Sequence, residues 1–319
     1  MTILPEEMQK YVAFIEEQVK FVKVLEINNQ DIIWHYTTGD GLLNIVESGA
    51  LYATQVSCLN DSTEVLYGEK LLRDAFINIQ TQNTRPREEA FLLERIMKNI
   101  SSEPTMPPTN IPSPFFVTCF SKEKDDLSQW RAYSGGENGY AIAFLVGAFF
   151  HRGSLMVRVN YEQEQHKQVA KKVAHATLQF FKEGVDARPA SGTDNTALME
   201  AWGNEFLAAW QALISRLAPM VKDPAFRGEN EYRIVHELQP HEFSKLRLRQ
   251  KQTLMSRHLP LVFPPLIHAT QSDMLPIMEV MVGPGRHKEI SRVSVETLLR
   301  QKGYTTVPVS MSSIPFQMT

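Results

Sequence analysis

Two long stretches of helical periodicity, Glu162 to Gly184 and Asp194 to Ala218, stand inside a series of short β-branched and aromatic runs. DIIWHYTT, LYAT, FFVTCF, GYAIAFLV and SLMVRVNY precede them, and EYRIVHEL, IMEVMVG and TTVPVS follow. These strand-like runs succeed one another without the regular strand–helix–strand alternation of a doubly wound sheet, so the pattern points to an α+β fold. Further helices are expected from Pro5 to Leu25, over GLLNIVES, from Glu64 to Gln80, over Arg87 to Asn99, over DDLSQWRAYS and over GRHKEISRVSVETLLRQKG. Asp40 is the expected N-cap and Gly49 the C-cap of GLLNIVES. Residues 101–114 carry five prolines and read as a long loop. The organisation expected is a single domain over 1–319, with an N-terminal helix in 1–30 and a helical insertion over 162–219.

Charge narrows the function classes. There are 33 Lys+Arg against 36 Asp+Glu, a formal net charge of −3. A pure phosphate-tracking nucleic-acid binder would need a basic surplus. A local patch is compatible: SKLRLRQKQTLMSR holds Lys245, Arg247, Arg249, Lys251 and Arg257 with no acid among them. It reads either as a solvated strand face or as a surface for an anionic partner. Cys58 and Cys119 are too few for a disulfide framework, and no C-x-x-C pair exists for zinc. The start lacks the basic and apolar regions of a signal peptide, and no apolar run approaches the ~20 residues of a membrane span. A soluble, cytoplasmic protein is expected.

P-loop, dinucleotide-fold, nucleophile-elbow and zincin motifs are all missing. What remains are smaller constellations. VGPGRHKE sets Gly283, Gly285 and Arg286 between a strand and a helix N-terminus, either a phosphate cradle or a plain turn. Trp34-His35-Tyr36 places polar rings in an apolar strand. LNDSTE offers Asn60, Asp61 and Glu64 before a helix, where Asp61 or Ser62 also serves as an N-cap. Glu229 and Glu231 share a face if the strand begins that early, and paired carboxylates suit acid–base chemistry.

Three blocks in this order are informative: WHYTTGDGLLNIVESGALYAT, SPFFVTCFSKEKDDLSQWRAYS and ENEYRIV. With EVMVGP and VSMSSIPFQ near the end, they resemble the bacterial family catalogued as domain of unknown function 2971. They also resemble the ADP-ribosyltransferase superfamily, in its poly-ADP-ribose-polymerase-like branch with a His–Tyr–Glu arrangement. Trp34-His35 match that branch's first strand, Phe115-Phe116 with Ser121-Lys122 its second block, and Asn230-Glu231-Tyr232 its third.

The resemblance implies a split, mixed or antiparallel sheet and NAD as substrate. Glu231 would stabilise an oxocarbenium-like ribose as the nicotinamide bond breaks. His35 would bond the adenosine ribose. Tyr36 would join Glu231 and His35 as catalytic, and Tyr36, Thr37, Phe116, Ser121, Trp130 and Asn60 would complete the NAD-binding set. Where the branch has its Tyr this chain has Phe115 or Phe116, so Tyr36 or Trp130 would stand in for it, or Phe alone would stack. His35 and Glu231 would face one cleft, within about 10 Å of each other. ADP-ribose would pass to a protein or nucleic-acid acceptor, and related proteins are often toxins or phage-defence effectors. Two alternatives stand beside this reading: a non-catalytic nucleotide sensor on the same scaffold, and a nuclease or hydrolase using Glu229, Glu231 and a metal.

Overall fold

The computed structural model describes residues 9–11, 13–15, 17, 27–59, 63–81, 85–99, 115–134, 139–149, 154–188, 195–250, 255–263 and 274–315. The proline-rich stretch 101–114 and the turn residues Asn60, Asp61 and Ser62 lie outside them, as does Lys251. Contacts divide the chain into two compact units.

One unit, Met1–Leu25 with Leu59–Pro114 and Asn160–Ala225, is helical among its described residues. Helices Thr63–Gln80, Arg87–Asn99, Gln163–Asp186 and Thr196–Leu217 enclose one core. Phe76, Leu92, Val173, Phe181, Phe206 and Trp202 fill it, joined by Tyr11 and Ile15. The helices expected as an insertion therefore do not stand alone. Their apolar faces are buried against helices Thr63–Gln80 and Arg87–Asn99, which come between strands earlier in the chain.

The other unit, Glu26–Cys58 with Phe115–Val159 and Phe226–Thr319, holds the ten strands found among the described residues: β1 (Ile32–Thr37), β2 (Leu51–Gln55), β3 (Phe115–Ser121), β4 (Tyr140–Leu145), β5 (Ser154–Arg158), β6 (Glu231–Glu237), β7 (Arg247–Gln250), β8 (Met255–Leu261), β9 (Ile277–Val282) and β10 (Val309–Met311). The class is α+β with a mixed sheet. Among the described strands, β9 and β10 pair in parallel and the other pairs are antiparallel. The sheet runs β10-β9-β4-β1-β3-β2-β8-β7, and it branches at β3.

That branch is a fork. One edge of β3 pairs with β6 along its whole length, Phe115 opposite Glu237 through Ser121 opposite Glu231. The other edge is shared: β2 takes Phe116 and Val117, and β1 meets β3 at Ser121 opposite Trp34. Side chains alternate along each strand, and antiparallel partners point to the same side. One face therefore carries Ile33, Phe116, Phe120, Ile142, Phe144, Tyr232 and Ile234, packed with Ile45 and Val46 of helix Gly39–Ser48 and Leu299 of helix Lys288–Gln301. The opposite face carries Trp34, Tyr36, Ala141, Ala143 and Met281, packed against Trp130 of helix Leu127–Tyr133.

Local chemistry explains the boundaries. Thr38, not Asp40, caps helix Gly39–Ser48, its hydroxyl accepting from the Gly41 N–H; Asp40 sits in the first turn, where its charge complements the dipole. Gly49 closes that helix at φ 62°, as expected. Asn230 stands at φ 44° immediately before β6, a conformation Asn tolerates better than most residues. This kink ends a short 3₁₀ turn at Glu229, so Glu229 and Glu231 do not share a strand face as their spacing suggested.

Candidate active site at the strand fork

The three sequence blocks occupy strands that meet at the fork: WHYT in β1, FFVTCFS in β3, Glu-Tyr at the start of β6. Trp34, Ser121 and Glu231 lie side by side across the three strands. Parity then settles where the expected site residues go. Tyr36, Ser121, Trp130 and Glu231 belong to the Trp34 face; His35, Thr37 and Phe116 belong to the core face. His35 and Glu231 do not face one cleft, which corrects the shared geometry expected of them. Neighbouring positions on one strand cannot point the same way, and Trp34 is already in register with Glu231. Asn60 lies outside the described residues.

On the Trp34 face, Glu231 and Arg233 are both buried and alternate along β6. Arg233 Nε donates to Glu231 Oε1 at 2.9 Å, and Nη2 to Oε2 at 2.6 Å. A bidentate pair this buried is fixed in geometry. Ser121 Oγ donates to the Glu229 carbonyl at 2.7 Å and accepts from the Glu123 N–H at 3.1 Å, tying the end of β3 to the entry of β6. Asn230 reinforces this tie, its carbonyl accepting from the Lys122 N–H at 3.0 Å and its Nδ2 donating to Glu123 Oε1 at 3.1 Å.

Tyr36 meets Trp130 edge to face, ring centres 4.7 Å apart. Its hydroxyl donates to the Glu123 carbonyl at 2.7 Å and accepts from the Asp126 N–H at 3.3 Å. Burial pushes the phenol upward, so it stays protonated. Trp130 Nε1 donates to Asp125 Oδ1 at 2.8 Å. The rings of Tyr36 and Trp130 are thus a packed pair with satisfied polar ends.

On the core face, His35 spans the fork. Its Nδ1–H donates to the Cys119 carbonyl at 2.9 Å, replacing the ladder bond that the diverging strands no longer make. Its ring packs edge-on to Phe120 at 5.6 Å. Burial lowers the imidazole pKa, and the Cys119 carbonyl only partly offsets this, so the ring is neutral near pH 7. Thr118 lies on the same face of β3, and its buried Oγ1 has no hydrogen-bond partner. An orphaned buried hydroxyl is costly, typically ~1–3 kcal/mol, unless a ligand completes it.

Gly283 has a packing reason. A Cβ there would come within 2.8 Å of the Trp130 ring and 2.9 Å of the Gly139 carbonyl. The turn that also read as a phosphate cradle starts in close contact with the Trp130 ring. The basic stretch divides: Lys245 ends a 3₁₀ turn, and Arg247 and Arg249 stand exposed on β7, an edge strand pairing with β8 among the described residues. No cluster of three His, Cys, Asp or Glu suited to a metal occurs among the described residues. No helix among them is long and apolar enough to cross a membrane.

Thr118 and Arg233 were not singled out by the sequence. Arg233 had a signal, since Glu and Arg two apart in a strand share a face. Thr118 had none, because only the fork deprives it of a partner.

The profile of the family described as Protein of unknown function (DUF2971) matches residues 129–234, about a third of the chain. The matched stretch holds Trp130 and Asn230-Glu231-Tyr232 and starts beyond His35 and Ser121. No curated protein and no solved structure matches the chain.

Proposed function

We propose that this chain is an NAD-using enzyme of the ADP-ribosyltransferase type, with its substrate held at the fork between β1 and β3. The observation that carries the reading is the fork itself. Three strands bearing the sequence blocks that resemble that superfamily converge there, and a neutral His35 and the unpartnered Thr118 hydroxyl lie on one side. Two polar groups of this kind suit the hydroxyls of a ribose.

The division of labour differs from a single His–Glu cleft. His35 and Thr118 stand on the core face, and Glu231 acts from the other. Glu231 supports the oxocarbenium-like transition state with the oxygen that Arg233 yields to it. Arg247 and Arg249 offer an acidic protein or nucleic-acid acceptor a docking edge, and the biological setting is a toxin or phage-defence effector.

The test is nicotinamide release from NAD by the purified full chain, with and without cell lysate as acceptor. Release above background, lost in Glu231→Gln and reduced in Thr118→Val, supports the reading. Absence of release with and without lysate overturns it.

A second reading is favoured by Arg233, which engages both Glu231 oxygens. On it the scaffold binds a nucleotide without cleaving it. Nucleotide then raises the unfolding temperature while nicotinamide release stays at background.

A further inference from the structure

Away from the fork, three side chains of different elements make a hydrogen-bonded chain. Ser154 opens β5, His236 lies on β6, and Glu242 is in the 3₁₀ turn Pro240–Lys245. Ser154 Oγ is 2.9 Å from His236 Nδ1, and His236 Nε2 is 2.8 Å from Glu242 Oε2. The sheet register builds the first contact. Val159 N–H bonds the Glu231 carbonyl, so alternate pairs from Val159 onward are the hydrogen-bonded ones. Ser154 opposite His236 is then a non-hydrogen-bonded pair, whose side chains stand closest together.

The polarity of the chain follows from its acid end. Glu242 also accepts the Gln239 N–H at 3.0 Å. Burial pushes the Glu242 carboxyl upward, and the bonds from His236 and Gln239 outweigh this, leaving its pKa below the ordinary value. An ionised carboxylate only accepts, so a neutral His236 carries its proton on Nε2. Nδ1 is then the acceptor, and the Ser154 hydroxyl donates to it. That is the order of groups by which a serine is activated by a histidine that a carboxylate orients, here with the two ring nitrogens exchanged relative to the Ser–His–Asp triad. His236 and Glu242 are largely buried, whereas Ser154 is partly exposed. The same register turns the Ser154 N–H away from β6, toward an edge that no described strand covers.

We infer that Ser154, His236 and Glu242 form a second catalytic site, hydrolysing carboxylic esters. The Ser154 oxygen bonds to the ester carbonyl carbon as its proton passes to His236 Nδ1. The Ser154 N–H faces the developing oxyanion. When the carbon–oxygen bond to the alcohol breaks, the alcohol takes the proton from Nδ1 and leaves an acyl-Ser154. Water then attacks that ester, giving a proton to Nδ1, which returns it to the Ser154 oxygen as the acid departs. The net reaction is ester plus water to acid plus alcohol. Phe243, exposed beside Glu242, suits an apolar acyl group.

The experiment is labelling of the full chain with an alkyl fluorophosphonate, mapped by peptide mass, beside hydrolysis of p-nitrophenyl butyrate. Label on Ser154 and ester hydrolysis lost in Ser154→Ala support the site. Glu242→Gln should slow labelling by ~10²–10⁴ while thermal unfolding still shows a folded chain. A wild-type chain that takes no label at Ser154, or a Ser154→Ala variant that hydrolyses the ester at the wild-type rate, overturns it. A chain that serves only to anchor the 3₁₀ turn would give the first of those results.

Discussion

Arg233 holds both carboxylate oxygens of Glu231 from two positions further along the same strand, and both side chains are buried. The residue that resembles a catalytic glutamate is therefore also a structural partner. Its charge is compensated before any substrate arrives. For an oxocarbenium-stabilising role the pair has to loosen; for a binding role it stays shut.

Replacing Glu231 consequently has two effects that must be read separately. Glu231→Gln removes the carboxylate charge that buried Arg233 holds with two bonds, at a cost of about 3–5 kcal/mol in denaturant unfolding. The double variant Glu231→Leu/Arg233→Met removes both charges and should recover most of that loss. If Glu231 is catalytic, the folded fraction of Glu231→Gln turns NAD over ~10²–10³ more slowly than wild type, with little change in NAD binding. A single variant as stable as wild type would show that Glu231 and Arg233 do not form a buried ion pair.

His35 gives a pH signature. Its pKa in the fold is lowered from 6.5 by burial. The unfolded chain therefore takes up the proton first as pH falls. The stability His35 contributes is complete above about pH 6.5 and declines below it, toward the lower folded value. His166 and His175 are shifted downward by burial in the same sense. His35→Gln should flatten, not abolish, the fall in urea midpoint between pH 7.5 and 5.5. An unchanged slope would mean that His35 ionises as freely in the fold as out of it.

Most strands were legible because they are compact β-branched or aromatic runs, and the boundaries of β1, β3 and β6 match those runs closely; β7 (RLRQ) and β8 (MSRHLPL) lack such residues and were not read as separate strands. Helix Arg87–Asn99 falls where its periodicity put it. The pairing of strands was not legible, since period-2 patterns say which residues share a face but not which strands become neighbours. Hence Tyr36, Ser121, Trp130 and Glu231 could be named without seeing that His35, Thr37 and Phe116 point the other way. The two-unit division was hidden for the same reason. The core joining Phe76 to Val173 and Phe206 depends on contacts across nearly a hundred residues or more, which local periodicity does not carry.

Gly283 tests the packing explanation of its turn. Gly283→Ala puts a methyl against the Trp130 ring and the Gly139 carbonyl, neither of which has room to move in a buried setting. Such overpacking typically costs ~1–3 kcal/mol. Thermal unfolding of Gly283→Ala should show that loss, together with altered Trp fluorescence. Stability at the wild-type level would return the turn to the phosphate reading.

Asp125 makes the last prediction, because it fastens the chain end beyond β10 to the Trp34 face. Oδ1 accepts from Trp130 Nε1 at 2.8 Å and from Ser312 Oγ at 2.7 Å; Oδ2 accepts from the Ser313 N–H at 2.9 Å and from its hydroxyl at 3.2 Å. Partial burial pushes the carboxyl upward, but these bonds outweigh it, and its pKa lies below the ordinary 3.8. The stabilisation is therefore complete above about pH 4 and is lost as pH falls through the depressed value. Asp125→Asn keeps the shape but sets an amide NH₂ against at least one donor. At pH 7 it should cost about 1–2 kcal/mol, a modest sum because the site is partly exposed. At pH 3 and below the gap between variant and wild type should narrow, since the wild-type carboxyl is then becoming protonated too. Urea unfolding of both proteins at pH 7 and pH 3 measures this. A gap that is the same at both pH values would mean that the charge of Asp125 does not hold the segment.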